Sequence, residues 1–138
     1  MPNLNTLKAG DALPSRDFTP TNVQLFLYNA ALWNAHRIHY DEPYATGVEG
    51  YSALVIDGPL MGDWLTQCVT DWLGDDGDFT SISYANRTAA YLGETVTSGG
   101  TVQSVDADTG LVELEIYIKN QKDETIIPGT ATVRLPTG

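Results

Sequence analysis

Hydrophobic positions along this chain change period once, near Gly77. Before that point they recur at helical spacing, and after it they alternate with polar residues. The clearest helical stretch is GPLMGDWLTQCVTDWLG, residues 58–74. Leu60, Met61, Trp64, Leu65, Cys68, Val69, Trp72 and Leu73 fall at i, i+1, i+4, i+5, i+8, i+9, i+12 and i+13. They form a broad apolar stripe that Gly58 and Pro59 open and Gly74 closes. Burial stabilises each such side chain by about 1.5–3 kcal/mol, so this helix is the expected centre of the core.

A shorter helix is predicted upstream, from TPTNVQLF onward, with Thr19 as its cap and Pro20 at the first helical position. Val23, Phe26, Leu27, Ala30, Ala31 and Trp33 recur at helical spacing, so that face is expected to point to the core; the pattern ends at Asn34. Beyond Gly77, FTSISY (79–84), TVQSV (101–105), LVELEIYI (111–118) and GTATVRL (129–135) read as strands. Val112, Leu114, Ile116 and Ile118 share one face, and DADTG (106–110) and NQKDE (120–124) are turn-rich joints. Helices followed by strands predict an α+β domain over residues 1–138, an antiparallel meander packed around one long apolar helix.

Composition narrows the partners. The chain is 42% hydrophobic, with three Trp and seven Tyr, which fits a folded globule rather than disorder. A net charge of −11 argues against nucleic acid and anionic membrane surfaces. No apolar run nears the roughly 18 residues of a membrane span, and MPNLNTLKAGDALPS lacks a basic-then-apolar signal, so a cytoplasmic location is expected. The single Cys68 allows no internal disulfide, fits a reducing compartment, and reads as inert packing inside the apolar stripe. Seven basic residues are present, so a phosphorylated ligand must gather a few of them locally.

Chemistry-bearing residues concentrate in WNAHRIHYDEPYA, residues 33–45. His36 and His39 lie three apart, but no third and fourth ligand with recognisable spacing follows, so no metal site is expected. Phosphate loops, dinucleotide fingerprints and Gly-x-Ser-x-Gly elbows are absent from the sequence, and no cofactor is expected. Two features remain: Asn34 with His39 at a helix exit, and IDGPL at the start of the core helix, where N–H groups are unpaired and the dipole is positive. A base facing such an N-terminus can hydrate or dehydrate a carbonyl-conjugated double bond. The helix end polarises the carbonyl while the base activates water. The residues alone leave a second reading open, a solvated corner in which His39 is structural.

NAHRIHYDEPYA (34–45), EGYSALVIDGPL (49–60) and the late IYIKNQKDETIIPGTATVRLP (116–136) together resemble the MaoC-like hydratases and dehydratases of the hot dog fold. The resemblance spans about residues 17–135. It is closest to the branch of mesaconyl-CoA hydratases and fatty-acid-synthase-like dehydratases, which carries N-x-H-R-I-H-Y-D and V-x-G-P-L. It implies a single hot dog domain, with an antiparallel sheet wrapped around helix 58–73, and a hydro-lyase that hydrates an enoyl thioester or dehydrates a 3-hydroxyacyl thioester of CoA or acyl carrier protein. His39 then activates water, and Asn34, in the place of the usual aspartate, orients it. Gly58 offers its N–H to the thioester oxygen, and Tyr44 and Ala45 mark the structural end of the motif.

Asp57 stands where the branch has histidine; it reads either as the helix N-cap or as a carboxylate at the substrate. Arg37, Arg87 and Lys119 are left by elimination for the carrier's phosphates. The resemblance also implies pairing as a homodimer, or as a heteromer with another hot dog subunit. VTDWLG (69–74) is similar to a segment of small MaoC-like subunits that act on steroid side-chain enoyl-CoA thioesters with a larger partner. Two alternatives stay open: a non-catalytic or partner-dependent subunit, and a hot dog thioesterase that would rely on Asp57.

Overall fold

In the computed structural model, which describes residues 1–137, the chain runs β1 (Ala12–Phe18), α1 (Asn22–Leu32), a 3-10 turn (Arg37–His39), α2 (Glu42–Gly47), α3 (Gly58–Leu73), β2 (Asp78–Tyr84), β3 (Val96–Val105), β4 (Leu111–Lys119) and β5 (Thr125–Arg134). The apolar stripe of residues 58–74 organises the rest. Met61, Leu65, Cys68, Val69 and Leu73 of α3 are buried, while Leu60, Trp64 and Trp72 are half-buried. Facing them is the inward row of β4, Val112, Leu114, Ile116 and Ile118, buried as its alternation predicts.

The strands form one antiparallel sheet in the order β1-β3-β4-β5-β2. β3, β4 and β5 are a meander joined at the two expected turns. β2 departs from it: it lies at the far edge beside β5, and residues 85–95 carry the chain back across to β3. On that return Ile56 donates to Ala90 O at 2.9 Å and Leu92 to Leu54 O at 2.8 Å, so the crossing pins the segment that enters α3.

Periodicity missed three stretches of strand: β1, the first half of β3, and Thr125–Pro128 at the start of β5. β1 has no alternation because its register shifts at a bulge between Leu13 and Arg16, and only Leu13 is buried. A bulged edge strand is where Pro14 is tolerated. The first half of β3 ends in Gly99 and Gly100, poor strand formers by propensity. Crowding explains Gly100, where a Cβ would come within 2.8 Å of the Glu115 carbonyl oxygen.

The upstream helix exists but differs from expectation at its start and on its face. It is capped by Thr21, not Thr19: Thr21 Oγ1 accepts from Gln24 N at 3.2 Å while Gln24 Oε1 accepts from Thr21 N at 2.8 Å, a reciprocal capping box. Pro20 lies before the helix, and Thr19 pairs instead with Thr95 at 2.7 Å. The buried positions are Leu25 and Asn29. The row expected to face the core is exposed: Val23 58%, Phe26 56%, Leu27 58% and Trp33 94%. Trp33 ends α1 in the left-handed conformation at φ 55°, outside the core, whereas Trp64 stacks on Phe18 with ring centroids 4.4 Å apart.

Candidate active site

Leu54, Val55 and Ile56 form a buried thread between two neighbours. On one side Val55 N–H donates to Ile38 O of the 3-10 turn at 3.0 Å, and on the other the thread bonds residues 90–92 as described. This thread positions both titrating groups of the site. Its carbonyl at Val55 lies 2.8 Å from His39 Nδ1, and its next residue is Asp57 at the start of α3. A carbonyl only accepts, so His39 Nδ1 carries the hydrogen and a neutral imidazole leaves Nε2 as the lone-pair nitrogen.

His39 Nε2 faces Asp57 Oδ2 at 3.4 Å, within ion-pair reach but long for a hydrogen bond. Both residues are buried, Asp57 completely. A third buried polar group comes from α1, where Asn29 lies one turn beyond Leu25. Its Nδ2 donates to Leu25 O at 2.7 Å and to Asp57 Oδ1 at 3.0 Å. Both partners are acceptors, which fixes the orientation of the amide. Asn29 Oδ1 and Asp57 Oδ2 are left buried without a hydrogen-bond partner. Such acceptors are uncommon in folded proteins, and each calls for a ligand, a water or a proton.

The N-cap reading of Asp57 is corrected here. Asp57 occupies the cap position of α3, but its side chain makes no capping bond and turns toward His39 and Asn29 instead. The N–H at Gly58 therefore keeps the open, positive character of a helix start. Burial raises the Asp57 carboxyl above its ordinary range, against the opposing pull of His39, the Asn29 bond, a backbone bond and His36.

Most other polar residues of the motif build the corner that holds His39. Arg37 Nε and Nη2 both reach Asp41 Oδ2, at 2.9 and 2.7 Å, and the guanidinium lies 4.1 Å over the Tyr44 ring. Asp41 Oδ1 accepts from Tyr44 N at 3.2 Å and caps α2, and the Arg37 bond holds its carboxyl below the usual range. Tyr44 donates to Glu49 at 2.8 Å, and Ala45 is buried. His36 is exposed, its ring edge-on to His39 at 5.6 Å.

Asn34, the expected partner of His39, is half-buried, and its Oδ1 accepts from His36 N at 3.1 Å. Its side chain makes no hydrogen bond to His39 or Asp57 among the described residues. The amide that does join the cluster, Asn29, went unnoticed in the sequence. Its signal was an amide of poor helix propensity inside a helical run, four residues after Leu25. A cleft of about 420 Å³ borders the cluster, lined by Phe26, Ala30, Trp33, Ala35 and Tyr40 with Asn29 and Asn34. Of the basic residues considered for phosphates, Arg37 pairs with Asp41 and Lys119 with Asp123, while Arg87 has no ion pair among the described residues.

A helix wrapped by an antiparallel sheet, with a buried histidine facing that helix's start, defines a hot dog domain of the MaoC-like kind. The family described as hydroxyacyl-thioester dehydratase type 2 matches residues 3–92, a stretch that contains every residue of this site. The chain belongs to that family. It is 28% identical over 101 residues to the mitochondrial hydroxyacyl-thioester dehydratase type 2 of Saccharomyces cerevisiae, covering 73% of this chain and 34% of that protein. It is 51% identical over 47 residues to the mesaconyl-C(4)-CoA hydratase of Chloroflexus aurantiacus, covering 34% of this chain and 17% of that protein. The chain thus spans about a third or less of the length of these relatives. Among solved structures, a MaoC-like dehydratase superposes with a TM-score of 0.89 at 24% identity, covering 98% of this chain and 42% of that one.

Proposed function

We propose that this domain is a hydro-lyase that hydrates an enoyl thioester, or dehydrates a 3-hydroxyacyl thioester, carried on CoA or acyl carrier protein. The observation that carries this reading is the buried imidazole of His39, its Nδ1 tied to Val55 O and its Nε2 directed at the start of α3. His39 Nε2 exchanges the proton of water or of the 3-hydroxyl. The Gly58 N–H and the α3 dipole stabilise the negative charge that builds on the thioester oxygen. Asn34 Oδ1 is committed to the loop, leaving its Nδ2 to orient water. The acyl group enters the apolar cleft beside Asn29. Of the three basic residues considered for the carrier, Arg87 is the one without an ion pair among the described residues, and it lines a separate surface cleft with Tyr84 and Pro128. Membership in a dehydratase family supports this chemistry over thioester hydrolysis.

The domain works paired with a second hot dog domain, in the same chain or another. The exposed apolar row of α1 and the greater length of the relatives support this pairing. None of the described helices is long and apolar enough to cross a membrane. The unpaired, buried Cys68 fits the reducing cytoplasm.

The decisive experiment follows enoyl-thioester absorbance with short, long and steroid-sized enoyl-CoA esters, for the wild type and His39→Ala. Hydration that falls at least about 100-fold in the variant is the expected result. A folded wild type that consumes none of the esters would refute the reading, and release of free CoA thiol would redirect it to thioester hydrolysis.

A further inference from the structure

We propose that Asp57 is the acid of this site, sharing one proton with His39 and doing from the start of α3 what a carboxylate at position 34 does in the MaoC-like pattern. The inference rests on the hydro-lyase reading and assigns to Asp57 and Asn29 roles that reading does not include.

Three observations converge on it. Asp57 Oδ2 is the carboxyl oxygen that faces His39 Nε2, at 3.4 Å, with both side chains out of solvent. Asn29 occupies the other oxygen, Oδ1, at 3.0 Å, so the carboxyl cannot turn without breaking that bond. Asp57 Oδ2 and Asn29 Oδ1 are buried acceptors with no partner, beside an open helix start. With Nδ1–H committed to Val55 O, a doubly deprotonated pair would set two lone pairs against each other in a dry site, and a doubly protonated pair would leave a cation without a counter-charge. One proton between the two groups is the balanced state. Among the described residues, the other titratable groups facing the pair are His36, just before the 3-10 turn, and, from α1, Tyr28, which donates to Asp63 at 3.1 Å.

In the hydration direction the pair starts with that single proton. The oxygen of water bonds to the β-carbon as one of its protons passes to the unprotonated member of the pair. The proton already held goes to the α-carbon, and a transfer across the gap restores the starting state. One proton enters and one leaves, so no further reactant is needed. Asp57 and His39 both meet the reacting atoms in this step, whereas Asn29 acts through Asp57 and is a positioning residue.

The test compares the wild type with Asp57→Asn, an isosteric change that keeps an acceptor for Asn29 and offers His39 Nε2 a donor that cannot give up its hydrogen. The expected result is a kcat at least about 100-fold lower, with KM little changed and the wild-type pH profile stripped of the limb set by the carboxyl. A kcat within twofold of wild type with an unaltered profile would overturn the proposal. An arm independent of turnover follows the Asp57 carboxyl carbon by NMR in the wild type and in His39→Gln. It should titrate above the ordinary carboxylate range and move higher still once the imidazole no longer favours its ionisation. An ordinary titration, or one indifferent to His39→Gln, would overturn the proposal whatever the kinetics. A coupled titration in a protein that hydrates nothing would instead uphold the shared proton and refute the hydro-lyase reading.

Discussion

Helices α1 and α3 are both apolar on one side by sequence, yet they end in opposite surroundings. The α3 stripe is covered by the sheet, with Leu65 and Val69 at the bottom of the core. The α1 row of Val23, Phe26, Leu27 and Trp33 is left outside, and the helix buries only Leu25 and Asn29. Helical periodicity reports that a face wants covering; it does not say what covers it. For α3 the cover is this chain's own sheet. For α1 the domain offers none, and the pairing proposed above would supply it.

Five substitutions test this contrast, in decreasing order of effect. Leu65→Ala opens a cavity under the sheet and should cost about 2–5 kcal/mol by denaturant unfolding. Leu25→Ala, on the buried side of α1, should lie at the lower end of that range, because the helix is held on one side only. A larger loss there than at Leu65 would mean that α1, not α3, organises the core. Thr21→Ala removes one half of the capping box and should cost about 1 kcal/mol, whereas Thr19→Ala, outside the helix, should cost less. Phe26→Ala, one residue from Leu25 but exposed, should change the stability of the isolated domain by less than about 0.5 kcal/mol. It should weaken self-association or partner binding in sedimentation, and a stability loss like that of Leu25→Ala would show that the row is covered within the domain itself.

The two titrating groups of the site were named from the sequence for different reasons, and the structure treats them differently. His39 was legible because a histidine after an apolar helix, ahead of IDGPL, fits both a chemical requirement and a motif. Asp57 was legible as a residue but not as a contact, since an aspartate directly before a helix reads as a cap. Only the fold shows its side chain turned away from the helix and toward His39. Asn34 was chosen by its place in the motif, while the amide that reaches the carboxyl is Asn29, one helical turn past Leu25. The short helix α2 and the bulged strand β1 carried too little pattern to be seen.

By itself the sequence determined the central helix to within a residue of its ends, the inward face of β4, the two hairpin turns and the family. These features depend on spacing along the chain, which the chain states directly. The tertiary structure alone decided which side of α1 is buried, where β2 inserts, and which oxygen of Asp57 faces His39. Each of those depends on segments far apart in sequence meeting in space: Asn29 and Asp57 are 28 residues apart, and their contact exists only because Leu54–Ile56 is threaded between the 3-10 turn and residues 90–92. Periodicity carries no record of such long-range packing, since the free energy that selects it comes from burying two surfaces against each other rather than from either segment alone.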